Sequence, residues 1–178
     1  MENRSEIGSC RLLSVEFEPT HYKTDLWNVI SESELIDLFV IYTQRKNWAP
    51  DGGHNYLCFP EERYASVVLA GQGLLGSLWS GIYVSKNIVL RKPDVVLICG
   101  YAHIQAIFAF LTAFIFGKRF LIYVDEFNNE KPPGKLSLFK SVIREALRKF
   151  IFAYAQSIFV CGRKGVDSAI RAGCASDK

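Results

Sequence analysis

The residues best suited to chemistry sit directly after short apolar runs. Gly100, Tyr101 and His103 follow the run 94–99, and Asp125 and Glu126 follow the run 119–124. Histidine changes charge near neutrality, and a helix start offers unpaired N–H groups. His103 there could hold an anion or a sugar hydroxyl, or could simply bond a neighbouring carbonyl. Asp125 and Glu126 could act as a general base or accept hydrogen bonds from sugar hydroxyls; they could equally cap the N–H groups of the following loop. That loop, NNEKPPG, is long for a mere connection, which favours function. His21 and Lys23, beyond the first apolar run, form a second candidate group, with a solvated polar corner as the alternative. Arg163 and Lys164, beyond the last run, admit the same pair of readings.

The elements that must position these residues are read from 92–127, KPDVVLICGYAHIQAIFAFLTAFIFGKRFLIYVDEF. A β-branched run, Gly100, an apolar segment over 102–116, Gly117 and a second β-branched run make a βαβ unit. Both runs are apolar throughout rather than alternating, as in parallel strands covered on both faces. A crossover of this kind is right-handed, so the polar residues gather on the carboxyl edge of the sheet, where open parallel sheets bind ligands.

The rest of the chain extends this pattern. Strands are expected at 11–17, 35–43, 56–59 and 157–161, and helices at 22–31, 74–90, 138–155 and 166–172, with Thr20 or Thr24 capping the first. Strands and helices alternate for most of the length. The prediction is one doubly wound, mostly parallel α/β domain over 1–178, Rossmann-like, with about six strands in the order 3-2-1-4-5-6 and helices on both faces.

Composition narrows the function classes. With 178 residues, 49% apolar and 22% charged, the chain has the balance of a globular domain. The net charge of +3, without basic runs interleaved with aromatics, gives no support to nucleic acid as a partner. The five cysteines form no C-x-x-C pair and have no histidines at metal spacing, and Cys99 and Cys161 fall in predicted buried strands. A reduced, cytoplasmic protein is expected. The N-terminus MENRSEIGSC has no apolar core of a signal peptide, and 102–116 is shorter than the roughly 20 residues a bilayer requires.

Gly71, Gly73 and Gly76 match G-x-G-x-x-G, but no acidic residue follows about 20 positions on at a strand end, as dinucleotide binding requires. They read better as helix-start glycines than as a phosphate cradle. No P-loop and no G-x-S-x-G is present. The helix expected at 138–155 has a basic face and an aromatic apolar face, which suits a peripheral contact with an anionic membrane or, equally, the flank of a parallel sheet.

The succession KPDVVLICGYAH, FAFLTAFIFGKRFLIYVDEF and AQSIFVCGRKGVDSAIRAGC resembles the N-terminal, acceptor-side domain of family 4 glycosyltransferases of the GT-B fold. The likeness covers nearly the whole chain and rests on the order of elements and local phrasing. It implies transfer of a sugar from a nucleotide-sugar donor to a polysaccharide or lipid-linked acceptor, without metal or resident cofactor, at the inner face of the cell membrane. The donor would be held mainly by a C-terminal domain carrying a glutamate pair eight residues apart. No two glutamates here have that spacing, so the chain is expected to be one half of such an enzyme and inactive alone. The positions carried over are Gly100, Tyr101 and His103 for acceptor or transferred sugar, with Asp125 and Glu126 beside them. The family's glycine-rich turn after the first strand is replaced by Glu18-Pro19-Thr20. The alternative is a non-catalytic α/β module that binds a nucleotide or a protein through the same edge.

Overall fold

The structure is a computed structural model that describes residues 8–43, 61–69, 71, 73–100, 103–124, 135–171 and 173–175. In chain order the elements are β1 (Cys10–Glu16), α1 (His21–Ser31), β2 (Ile36–Tyr42), β3 (Ala65–Val68), α2 (Gly73–Arg91), β4 (Val95–Cys99), α3 (Ile104–Ile115), β5 (Arg119–Val124), α4 (Lys135–Tyr154), β6 (Ser157–Val160) and α5 (Gly162–Arg171). The six strands form one sheet in the order β3-β2-β1-β4-β5-β6, and every pairing is parallel. The domain is Rossmann-like, as the unbroken apolar runs predict.

Strand side chains alternate between two cores. Leu13, Val15, Val96, Ile98, Phe120 and Ile122 pack against α2, α3 and α4 through Val84, Phe110 and Phe152. On the other face Leu38, Val40 and Tyr42 are buried with Trp27 of α1 and with Tyr64. Handedness sorts the helices this way: α1 leads towards β2, whereas α2, α3 and α4 lead in the opposite direction across the sheet.

Three sequence expectations change in position. The strand expected at 56–59 lies outside the described residues, and the third strand of the sheet is Ala65–Val68. The last helix begins at Gly162 rather than 166, so Arg163 and Lys164 belong to its first turn and not to a free loop. Gly162 adopts φ +65, which reverses the chain quickly enough for the helix to start there. Cys161, expected in a buried strand, is exposed just past the end of β6.

Gly71, just before α2, and Gly76, near its start, serve packing. A Cβ on Gly76 would stand 2.6 Å from the Gly71 carbonyl carbon, so the two backbones touch where the helix starts. Farther along, a Cβ on Gly81 would meet the Phe108 ring at 2.7 Å, which sets the close approach of α2 and α3. Thr112 Oγ1 donates to Ser85 Oγ at 2.7 Å across the same interface.

Candidate functional site

The strand order reverses between β1 and β4, and this is the switch point at which open α/β sheets leave a crevice. Both strands end there in polar chemistry, and the helix after each begins at the same edge. Gly100, with φ +80, donates its N–H to the Tyr123 carbonyl at 2.8 Å. One further ladder bond is made before the chain turns towards α3, and a side chain at Gly100 would be strained in that conformation.

His103 occupies the N-cap position of α3 in extended backbone geometry, and its side chain makes no capping hydrogen bond. Its ring instead stacks on Phe17, just past β1, with centroids 4.2 Å apart and planes 16° apart. Burial holds its pKa below the ordinary histidine value, which favours the neutral imidazole. A neutral ring has one donor and one acceptor nitrogen. Phe17, His103, Thr43 and Gln105 line a small pocket whose floor includes Glu16 and Cys99.

Beneath this pocket lies a charge that sequence reasoning missed as part of the site. Glu16, the last residue of β1, is 1% exposed. Its Oε2 accepts from Lys23 Nζ at 2.6 Å, and its Oε1 from Ser14 Oγ at 3.1 Å and Cys99 Sγ at 2.8 Å. A carboxylate removed from water is tolerable only with such partners. Burial alone would lower the Lys23 pKa, but the charge of Glu16 and the hydrogen bond to it more than offset that, pushing it up to about 12. Burial pushes the Cys99 thiol well above its ordinary value, so it is a donor here and not a nucleophile. Lys23 Nζ also lies 5.4 Å from the centroid of the Tyr123 ring, linking α1 to β5.

The structure therefore brings Gly100, His103 and Lys23 to one edge, together with Phe17 and Glu16. Lys23 is buried at 8% exposure, which corrects its reading as a solvated corner. His21 is the first residue of α1, described in its backbone only. Tyr101, Asp125 and Glu126 lie outside the described residues. Among the described residues no group of three or more His, Cys, Asp or Glu could hold a metal ion. Nor is any described helix long and apolar enough to cross a membrane. The signal that could have revealed Glu16 was a charged residue at the end of an otherwise apolar strand, seven residues before a lysine in the next helix.

The architecture and the switch-point crevice define a class: a Rossmann-like α/β domain of the kind from which GT-B proteins are built. No family model and no curated protein sequence matches the chain. Solved structures do. A Listeria monocytogenes protein assigned as a UDP-N-acetylglucosamine 2-epimerase superposes with TM-score 0.60 at 15% identity, over 95% of this chain and 44% of that one. The UDP-GlcNAc 2-epimerase of Methanocaldococcus jannaschii gives 0.58 at 15% identity over 94% and 44%. That of Neisseria meningitidis, solved bound to UDP-GlcNAc, gives 0.57 at 17% identity over 94% and 44%. The chain spans less than half the length of each. At this identity the likeness establishes the fold.

Proposed function

We propose that the chain is the acceptor-side domain of a glycosyltransferase that moves a sugar from a nucleotide-sugar donor to a glycan or lipid-linked acceptor. One observation carries this reading: a half-buried His103, stacked on Phe17 at the β1/β4 switch where α1 and α3 begin, with burial favouring its neutral form. Helix N-termini favour phosphate and hydroxyl oxygens, and a neutral imidazole exchanges hydrogen bonds with hydroxyls without an ion's desolvation cost. The structural likeness to enzymes of nucleotide sugars supports the substrate class.

In this reading Gly100, Tyr101 and His103 contact the acceptor or the transferred sugar, with Asp125 and Glu126 as base or hydroxyl acceptors at the neighbouring strand end and His21 at the start of α1. Lys23 is committed to Glu16 and is a positioning residue. A second domain holds most of the donor and stabilises its leaving nucleotide. The donor is a substrate, and the chemistry needs neither a metal nor a resident cofactor. The protein works at the cytoplasmic face of the membrane.

Amide NMR of the labelled chain, titrated with a panel of oligosaccharides and with UDP-GlcNAc, tests the site. Saturable shifts are expected at Gly100, His103 and Phe17, weakened about tenfold or more by His103→Ala. Shifts confined to another edge, or none, would overturn it. The likeness to 2-epimerases favours a second reading, half of an enzyme that inverts a sugar carbon on the nucleotide itself. The full-length protein separates the two, because an epimerase converts UDP-GlcNAc with no acceptor and a transferase requires one. A downstream α/β domain with a glutamate pair eight residues apart supports the enzyme over a binding module.

A further inference from the structure

Away from the crevice, at the edge where the strands start, the sheet carries a second pocket. It is a cavity of about 200 Å³ between the first residues of β1 and β2 and the end of α2. Across the β1/β2 pairing Arg11 stands beside Asp37 and Leu13 beside Phe39, and strand alternation puts all four side chains on the face that α2 covers. Arg91, the last residue of α2, and the buried Pro93 complete the walls. Lys92 between them takes φ 49, a left-handed conformation that a side chain and a following proline both disfavour. That turn stops the helix and sets Arg91 and Pro93 on the same cavity.

The charges here divide into one closed pair and two open groups. Arg11 gives its Nε and Nη2 to the two Asp94 oxygens, at 3.3 and 3.1 Å, and is thereby engaged. Arg91 lies on Phe39, its guanidinium carbon 3.4 Å from the ring centroid, and its Nε donates to Asn87 Oδ1 at 3.2 Å. The Asn87 amide in turn donates to the Tyr83 carbonyl at 2.9 Å, so the fork is held on one face and along its inner edge. Its two terminal nitrogens bond to none of the described residues, and neither does the Asp37 carboxylate. The two groups line one cavity without pairing with each other. Asp37 and Phe39 lie about 6–7 Å apart along β2, which leaves room for a small molecule between the carboxylate and the fork seated over the ring.

A guanidinium with its outer edge open takes a carboxylate through two parallel hydrogen bonds, and Asp37 takes an ammonium. Leu13, Phe39 and Pro93 add apolar walls that neither charge uses. A cavity of about 150 Å³ holds benzene, so this one takes a molecule of about ten non-hydrogen atoms. We propose that the pocket at the amino edge of β1 and β2 binds a small zwitterion, a free α-amino acid with an aliphatic side chain, its carboxylate on Arg91 and its ammonium on Asp37. A simple anion is the poorer occupant, because it would bring its charge up to Asp37. The site stands apart from the sugar-transfer reading: β1 runs from Arg11 here to Glu16 at the crevice, about 16 Å on.

Amide NMR of the full chain, titrated with L-alanine, L-valine and L-leucine, tests it. Saturable shifts at millimolar concentration are expected at Asp37, Phe39 and Arg91, with Gly100 and His103 unmoved. Leucinamide, which lacks the carboxylate, and N-acetylleucine, which lacks the ammonium, should each bind about tenfold more weakly than leucine or worse, as befits a lost charged hydrogen bond. This comparison uses the wild-type chain and needs no variant to fold. Arg91→Gln and, separately, Asp37→Asn should weaken leucine binding by a similar factor, and inorganic phosphate at matched concentration should not displace it. No saturable shift with any of the three, shifts confined to the crevice, blocked derivatives that bind as well as leucine, or displacement by phosphate would overturn the proposal.

Discussion

Replacing Lys23 with methionine keeps the volume and the aliphatic stem but removes the cation from a carboxylate that is 1% exposed. Glu16 would keep only the Ser14 hydroxyl and the Cys99 thiol as donors, at 3.1 and 2.8 Å. Breaking a buried pair by removing one partner costs about 3–5 kcal/mol. At this chain length each kcal/mol lowers Tm by about 2–4 °C, so Lys23→Met should melt about 6–20 °C lower. Urea unfolding of Lys23→Met, Glu16→Leu and the double variant measures the pair directly. The double variant should recover much of the loss, giving a coupling of about 2 kcal/mol or more. A single-variant loss below about 1 kcal/mol, typical of an exposed pair, or no coupling in the cycle, would refute the assignment of a buried ion pair.

Titration offers a second route to the same pair. The folded pKa of Lys23, about 12, lies above its ordinary 10.5, so its contribution is complete below 10.5 and is lost as pH rises through 12. A rise of this size corresponds to about 2 kcal/mol. That is less than the truncation cost, because a neutral amine can still donate to Glu16 whereas methionine cannot.

Further outcomes follow from the same geometry. His103, lowered by burial, should titrate below the ordinary histidine range in a ring-proton NMR series. The fold should lose stability as pH falls below that range, since the unfolded chain then takes up the proton first; a raised His103 pKa would contradict its burial. Gly76→Ala places a methyl 2.6 Å from the Gly71 backbone and should cost about 1–3 kcal/mol by denaturant unfolding. A neutral result would mean that α2 is entered more loosely than described.

Strand order, sheet direction and five of the six strands were legible because buried parallel strands are unbroken apolar runs and the connections between them obey one handedness. Ala65–Val68 was less legible: it is four residues long, at the sheet edge, and half-exposed. Gly100 and His103 could be placed because a strand end followed by a helix start fixes the backbone. Phe17 stacking on His103 joins residues far apart in the chain, and only the β1/β4 register brings them together, whereas Glu16 and Lys23 meet across the single turn from β1 into α1. Lys23 looked solvated in the sequence because Glu16, at the end of the first strand, read as part of the same polar corner, and only the packing of α1 on the sheet buries the two together.

Strands that are greasy on both sides carry little information about how far one should slide along the next, since a shift of one residue exchanges one oily face for another. Glu16 removes that degeneracy. Its two oxygens are met by groups from its own strand, from the following helix and from the end of β4, and a single-residue slip of β1 along β4 would pull the Cys99 thiol away from a carboxylate in a dry interior. A buried ion thus sets the alignment of the central strands, and with it the height at which Phe17 meets the imidazole.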